Sequence, residues 1–274
     1  MKLLKDCFYL WGQTPMSHHA GNNYKLPGIN RMDTAEGCDF FGIDRTFRVA
    51  MATGPVPPFD MESQKLKHLK EVVWAAIGSG SVLRNNEGLG DLPEVLRQAE
   101  MFPNISGAIL DDFFNSVEGF KLNGKIARHP VENVEKMRDL LHGFPLRKLN
   151  LWLVLYTYQL DFAISDYLGL FDKVTLWTWN GCDLTDWRRN FEKTRKMLPD
   201  TPLYAGCYMW DYGDRKPLPL SAMKRQLADY RQALLQGEIK GVILCSNCIA
   251  DIGLDTVEYT RTWLQTHGEE EVIP

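Results

Sequence analysis

The sequence predicts a single (β/α)8 (TIM) barrel spanning residues 1–274. Short apolar runs alternate with amphipathic helical segments eight times, and no linker or change of composition interrupts them. The length of 274 residues also suits a fold that commonly takes about 250. An open doubly wound sheet would show the same alternation, but it normally carries a glycine-rich phosphate turn after its first strand. Trp11-Gly12-Gln13-Thr14 lacks the G-x-G-x-x-G pattern, which favours the barrel.

Each predicted strand is a short apolar run that stops at a turn-forming or polar residue. The predicted strands are residues 8–11, 46–52, 72–77, 106–110, 149–156, 174–179, 202–210 and 241–246. Each predicted helix places apolar residues three or four positions apart on one face. The predicted helices are residues 34–41, 61–69, 92–99, 131–142, 162–171, 187–198, 221–236 and 255–267. Asp33 or Thr34 is the predicted cap of the first helix, and Asp183 that of the sixth.

The fourth predicted strand stops in two adjacent carboxylates, Asp111 and Asp112. Like charges repel and burial favours the protonated form, so one of such a pair tends toward the raised pKa that a general acid needs. A structural alternative stays open, in which Asp112 caps a turn and Asp111 pairs with an arginine. The polar segment 115–130 that follows is predicted to shape a substrate site, because long strand-end loops are commonly functional.

The carboxyl ends of the strands build the active site in this fold, so the residues there are the candidate ligand contacts. They combine aromatic rings with amides and carboxylates, as a sugar requires: its apolar faces stack on rings while its hydroxyls need hydrogen-bonding groups. The predicted substrate-binding residues are Trp11, Gln13, Tyr156, Tyr158, Trp177, Trp179, Asn180, Tyr208, Trp210, Asp211 and Asn247. The alternative is that the aromatics only fill the barrel, although branched aliphatics usually dominate there.

Three reaction schemes fit these acids. In an ordinary glycosidase, Asp112 and Asp211 would face each other across the glycosidic bond. In a substrate-assisted glycosidase, the acetamido oxygen of the sugar attacks the anomeric carbon, so both carboxylates come from one place, which suits Asp111 and Asp112 better. A metal-dependent sugar isomerase would need Glu, Asp and His on several strand ends, and strands two, three, five and six supply almost none.

The run Gly107-Ala108-Ile109-Leu110-Asp111-Asp112-Phe113 resembles the aspartate-pair strand of the O-GlcNAcase-type β-N-acetylglucosaminidases. Short motifs on strands one, six, seven and eight are also similar to that family; they are Phe8-Tyr9, Trp177-Thr178, Trp210-Asp211 and Ser246-Asn247. The resemblance implies a (β/α)8 enzyme with substrate-assisted catalysis. It implies Asp111 as the residue that orients the acetamido group, Asp112 as the general acid/base, and Asp211 as a binder of sugar hydroxyls. The family's sugar-binding lysine after an early strand has no counterpart here.

Composition argues against several other classes of function. The chain has 31 basic and 35 acidic residues without a charge block, which argues against a nucleic-acid partner. Its apolar runs are far shorter than the roughly 20 residues of a membrane span. Residues 1–6 are too short for a signal peptide, so the chain as given is predicted to be cytoplasmic, or periplasmic or secreted if a leader was removed.

The six cysteines are scattered, and several fall in apolar runs, which is typical of buried reduced thiols rather than a disulfide framework. Cys245 and Cys248 form a C-x-x-C, but no second pair lies at zinc-ligand spacing. We therefore predict neither a metal nor a cofactor.

The sequence thus favours a glycoside hydrolase acting on a small oligosaccharide or glycoconjugate, with a carbohydrate as its partner. A sugar isomerase, epimerase or lyase that uses His18 or His19 is an alternative. Both histidines lie in a Gly- and Asn-containing loop, and we interpret them as solvated. A further alternative is a non-catalytic carbohydrate-binding barrel in which Asp111 and Asp112 only accept sugar hydroxyls.

Overall fold

The protein forms a closed barrel of eight parallel strands. A computed structural model describes residues 2–114 and 125–272. Each strand pairs with the next along the chain, and the last pairs with the first. The strands are β1 Phe8–Gly12, β2 Arg45–Arg48, β3 Glu71–Ile77, β4 Ile105–Leu110, β5 Asn150–Tyr156, β6 Lys173–Trp177, β7 Leu203–Tyr208 and β8 Gly241–Cys245. The predicted (β/α)8 fold is confirmed.

One helix follows each strand. The helices are α1 Thr34–Phe41, α2 Asp60–Leu66, α3 Leu92–Met101, α4 Val131–His142, α5 Ser165–Leu168, α6 Trp187–Met197, α7 Leu220–Leu235 and α8 Asp255–His267. Outside the barrel, Lys2–Leu3 pairs antiparallel with Glu271–Val272. In the part of the chain that the structure describes, no helix is long and apolar enough to cross a membrane.

Aromatic side chains fill the amino-terminal half of the barrel interior. The ring centroids of Tyr9 and Phe47 lie 5.5 Å apart, those of Phe47 and Trp152 5.1 Å, and those of Trp152 and Tyr204 4.6 Å. At the start of β3, Glu71 accepts a hydrogen bond of 2.8 Å from the Tyr9 hydroxyl. Because this end is filled, space for a ligand is left at the carboxyl ends of the strands.

The predicted second strand, residues 46–52, is too long, because β2 ends at Arg48. Beyond it, the Ala50 carbonyl accepts a hydrogen bond of 3.0 Å from the Gly80 N–H rather than from a neighbouring strand. Met51 and Gly54 then exchange two backbone hydrogen bonds of 2.9 Å, which turn the chain. Val49 still donates to the Gly12 carbonyl of β1 at 2.8 Å, so the strand pairing ends there and residues 50–52 belong to a loop.

Two helix predictions are also corrected. The predicted helix 162–171 contains only Ser165–Leu168 in helical form, because the Phe162 N–H bonds to the Gln159 carbonyl at 2.9 Å and so belongs to the preceding turn. Asp183 does not cap α6: it lies inside a 3₁₀ turn, and Asp186 is the residue before the helix. The predicted cap Asp33 is confirmed, since its carboxylate accepts the Glu36 N–H at 3.0 Å.

The cysteines are unpaired thiols. Five are buried, and Cys182 is exposed. The expectation of buried reduced thiols is therefore met at five of the six positions.

Candidate functional site

A cavity opens among the carboxyl ends of the strands, and its empty space, with the open mouth included, is about 480 Å³. The described residues that line it are Trp11, Gln13, His18, Tyr24, Met51, Asp111, Asp112, Val154, Tyr156, Trp177, Trp179, Tyr208, Tyr212 and Cys245. Both aspartates and six of the predicted substrate-binding residues are therefore brought together.

The backbone places Asp111 and Asp112 differently at the end of β4. The Asp111 N–H donates to the Ile77 carbonyl at 2.9 Å, which continues the pairing of β3 with β4 by one residue. Asp112 then adopts a positive φ of 47°, which is uncommon for a residue with a side chain. Its N–H donates to Asp111 Oδ1 at 2.9 Å. This turn directs two consecutive carboxyl groups into one cavity.

Burial sets the protonation of the pair. It raises the pKa of Asp111 well above the usual range, and the neighbouring Asp112 charge adds to the rise against the opposing effect of Arg128. Burial also raises the pKa of Asp112, while Arg128 and a hydrogen bond from Tyr156 act to lower it. The Tyr156 hydroxyl donates to Asp112 Oδ1 at 3.2 Å. Two carboxyl groups so close in a buried site favour a state in which the pair holds one proton.

Arg128 connects the aspartate pair to the loop after β4. Its Nε donates to the Asp112 carbonyl at 2.6 Å, and its backbone N–H donates to the Phe113 carbonyl at 2.9 Å. Phe114 and Ala127 form a β-bridge at the base of this loop. The predicted substrate-shaping segment 115–130 therefore returns to hold Asp112, although residues 115–124 of it lie outside the described residues.

We predict that Tyr156→Phe raises the apparent pKa of the aspartate pair by roughly 0.5 to 1 pH unit, because a hydrogen bond of about 1 kcal/mol to the ionised carboxylate is removed. The pair should then keep its proton to a higher pH. The measurement is a ¹³C NMR titration of the aspartate side-chain carboxyl carbons. Tyr204→Phe, which removes a hydroxyl in the amino-terminal half of the barrel, is the matched control and should leave the titration unchanged. An unchanged titration in Tyr156→Phe would contradict the assigned hydrogen bond.

Tryptophan and tyrosine rings form the wall of the cavity. Trp11 and Trp177 meet edge to face with centroids 5.3 Å apart, and Trp177 lies 4.9 Å from Tyr208. Trp179 meets Tyr156 edge to face at 6.0 Å. A Cβ at position 206 would overlap the Trp177 ring, so Gly206 in β7 allows the indole to lie flat against the strand. The rings support one another and leave their remaining faces to the cavity.

Three lining residues, Tyr24, Met51 and Tyr212, come from loops and were not among the predicted substrate-binding residues. Tyr24 and Tyr212 meet at right angles with centroids 4.9 Å apart. Tyr212 directly follows the predicted Trp210-Asp211 motif, and this proximity to a strand end was the available signal. Tyr24 lies in the polar loop after β1, where the sequence offers no periodic pattern.

His18 also lies in the cavity wall, so its interpretation as a solvated histidine is wrong. Its side chain is buried, and its Nδ1 lies 2.7 Å from the Tyr212 hydroxyl. Burial lowers the pKa of His18 to about 3, which keeps the imidazole neutral. Among the residues that the structure describes, no group of three or more His, Cys, Asp or Glu side chains could hold a metal ion.

Five predicted substrate-binding residues do not line the cavity; they are Tyr158, Asn180, Trp210, Asp211 and Asn247. Two of them support lining residues directly. Tyr158 stacks on Tyr156 with centroids 5.2 Å apart. Trp210 Nε1 donates to the Tyr24 carbonyl at 3.2 Å.

The other three organise strand ends and loops. The Asn247 side chain accepts the Gln13 N–H at 2.8 Å and donates to the Gln13 carbonyl at 3.0 Å, which ties the end of β8 to the end of β1. Asp211 accepts the Asp214 N–H at 3.1 Å within the loop after β7. Asn180 Nδ2 donates to Asp183 at 3.3 Å in the loop after β6. Their predicted contact with a substrate stays a prediction.

Solved structures of similar fold include enzymes of different chemistry. Active domain 2 of the thermostable chitinase from Pyrococcus furiosus, as catalytic-site mutants complexed with chito-oligosaccharides, aligns with a TM-score of 0.60 and 11% identity over 98% of this chain and 97% of that chain. A chitinase from Rhizomucor miehei aligns with a TM-score of 0.53 and 12% identity over 93% of this chain and 99% of that chain. A mutant tryptophan synthase alpha-subunit from Pyrococcus furiosus aligns with a TM-score of 0.53 and 8% identity over 97% and 98% of the two chains.

At these identities the likeness shows the fold alone. No protein-family model matches the sequence, and no curated protein matches it at the sequence level.

Proposed function

We propose that the protein is a glycoside hydrolase that cleaves a glycosidic bond in a small oligosaccharide or glycoconjugate. The observation that carries the proposal is the buried Asp111–Asp112 pair, with its raised pKa values, inside a cavity walled by indole and phenol rings. A protonated carboxyl supplies the general acid that glycoside cleavage needs. The rings supply the apolar faces on which a pyranose stacks.

Asp112 is the proposed acid/base and Asp111 its orienting partner. Asp111 is only 6% exposed, whereas Asp112 is partly exposed and lies one residue nearer the mouth of the barrel. The acid/base must reach both the leaving oxygen and the attacking water. Asp112 suits this role better because it is nearer the mouth and partly exposed. Asp111, held by the Asp112 N–H, is better placed to keep a fixed orientation toward the substrate.

Substrate assistance is the scheme we favour for the nucleophile. The acids among the described lining residues are Asp111 and Asp112, and consecutive residues approach a ligand from one wall. An enzyme carboxylate nucleophile would instead stand across the bond from the acid. Asp211, the predicted partner for that role, does not line the cavity.

In the favoured scheme the acetamido oxygen of the sugar bonds to the anomeric carbon while Asp112 gives its proton to the departing glycosidic oxygen. Water then attacks the same carbon, Asp112 takes the proton of the water, and the acetamido group re-forms. Chito-oligosaccharides, bound by the chitinase domain from Pyrococcus furiosus that shares this fold, carry such an acetamido group.

A sugar isomerase or lyase that uses His18 as its base is less well supported. His18 does lie in the cavity, but a pKa lowered to about 3 makes its imidazole a weak base. The same cavity could also serve binding without turnover, and an activity assay separates that case.

The test is turnover of a panel of nitrophenyl glycosides that includes the β-N-acetylglucosaminide, assayed from acidic to neutral pH. We expect nitrophenol release from at least one member, fastest for a sugar with a 2-acetamido group. Sugar binding without release from any member would favour a binding protein and contradict the proposal. Conversion of free sugars without glycoside cleavage would favour the isomerase.

A further inference from the structure

Gln13 has a hydrogen-bonding atom that the protein leaves unused. The residue follows β1, is 2% exposed and lines the cavity. Its side-chain oxygen Oε1 is buried and has no hydrogen-bond partner among the described residues. Eight buried side-chain atoms lack a partner among the described residues, and Gln13 Oε1 is the one of them whose residue lines the cavity, which points to a bound ligand as the source of its donor.

The backbone of Gln13 is held by contacts with two other segments. The Gln13 N–H and carbonyl bond to the Asn247 side chain at 2.8 and 3.0 Å, and the Thr34 hydroxyl donates to the same carbonyl at 3.4 Å. Gly12, just before it, packs closely against Thr34. These contacts fix the Gln13 backbone, so the side chain starts from a defined position in the cavity wall.

Gln13 and the aspartate pair approach the cavity from different walls. Gln13 follows β1 and the aspartates follow β4, and these two strands are separated by β2 and β3 in the eight-stranded barrel. In the proposed reaction, Asp112 acts at the anomeric centre and Asp111 orients the acetamido group. Gln13 therefore faces a different part of the same sugar ring, where the donors of a pyranose are hydroxyl groups.

We propose that Gln13 is a specificity-determining residue whose Oε1 accepts a hydrogen bond from one hydroxyl of the sugar unit bound in the cavity. The proposal rests on the proposed glycosidase function and adds a requirement to it: the substrate must present a hydroxyl donor at that position. A site with a buried acceptor rejects an analogue without the donor strongly, because the acceptor is then left unpaired.

The experiment compares the wild-type protein with Gln13→Met on monodeoxy and monofluoro analogues of the glycoside that the wild type cleaves best. Fluorine keeps the size of a hydroxyl but cannot donate. For the wild type we expect kcat/KM to fall by roughly 10²-fold or more when one particular hydroxyl is replaced by hydrogen or fluorine. In Gln13→Met, replacing that same hydroxyl should change kcat/KM little, whereas replacing the other hydroxyls should have the same effect as in the wild type.

Two further variants control the result. Gln98→Met removes another buried glutamine whose Oε1 is unpaired, but Gln98 lies on α3 and does not line the cavity, so the wild-type pattern should remain. Gln13→Glu keeps an acceptor oxygen and should retain the discrimination ratio even if its added charge lowers the overall rate. The ratio between analogues is the readout because a general loss of stability affects all analogues alike.

The outcomes separate this proposal from the proposed function. If wild type and Gln13→Met discriminate equally between the parent glycoside and its analogues, the role of Gln13 is overturned and the glycosidase function stands. The same holds if the wild type cleaves the fluoro analogue as well as the parent glycoside. If no glycoside is cleaved, the same analogues of free N-acetylglucosamine are titrated against tryptophan fluorescence. A Gln13-dependent difference in their binding then supports the acceptor role alone, and no binding overturns both proposals.

Discussion

Asp112→Asn is expected to lower kcat by about 10²- to 10⁴-fold, the usual contribution of a general acid/base. The amide has nearly the shape of the carboxyl group but cannot give a proton to the leaving oxygen. Sugar binding should be retained, since the aromatic wall is untouched. The folded state should be as stable as the wild type or more so, because a buried carboxyl next to Asp111 is removed.

The measurement is kcat and KM on the best glycoside of the panel, with thermal unfolding of both proteins. The control for loss of a charge is Asp214→Asn, which should keep wild-type kcat. Asp214 is an exposed aspartate paired with Lys216 in the loop after β7. Near-normal turnover in Asp112→Asn with a normal unfolding temperature would remove Asp112 from the mechanism.

The pH dependence gives a second check on the same residue. A general acid acts in its protonated form, so activity should fall as the pH rises through its pKa. Because burial raises the pKa of Asp112, this fall should come at a higher pH than for an ordinary aspartate. In Asp112→Asn, the residual activity should no longer fall as the pH rises through this range.

The barrel could be predicted from the sequence because its signals are local. The apolar run that ends in Asp111 and Asp112 is a strand with its carboxyl end at the site, and both features are visible in consecutive residues. The predicted ends of strands were less accurate where hydrogen bonds to distant segments determine where the strand stops. Residues after Arg48 look like a strand, yet the Ala50 carbonyl bonds to Gly80 in a different loop.

The site was predictable in part for the same reason. Trp177 and Tyr208 could be found because each is the last residue of a strand. Asn247 has the same sequence signature, but its amide is used by backbone atoms of Gln13, and no local pattern separates an amide that faces a ligand from one that joins two strands. Tyr24 and His18 reach the cavity from a loop whose path depends on contacts distant in sequence, such as that between His18 and Tyr212.

A thiazoline analogue of N-acetylglucosamine is expected to inhibit the enzyme at least about 10²-fold more tightly than the substrate binds, since it mimics the cyclic intermediate of substrate assistance. In that intermediate the acetamido oxygen is bonded to the anomeric carbon, and the ring nitrogen needs a negative or hydrogen-bonding partner. We assign that role to Asp111, whose Oδ1 already accepts the Asp112 N–H and is thereby fixed in orientation.

The inhibition constant of the thiazoline is to be measured for the wild type, Asp111→Asn and Asp211→Asn. Asp111→Asn should weaken inhibition by roughly 3- to 10-fold, because a hydrogen bond of about 1 kcal/mol between the carboxyl group and the ring nitrogen is lost. Asp211→Asn should leave inhibition as in the wild type, because Asp211 does not line the cavity and its carboxylate bonds within its own loop. Indifference of the wild type to the thiazoline, together with loss of turnover in Asp211→Asn, would transfer the nucleophile from the substrate to the loop after β7 and restore the scheme with two facing carboxylates.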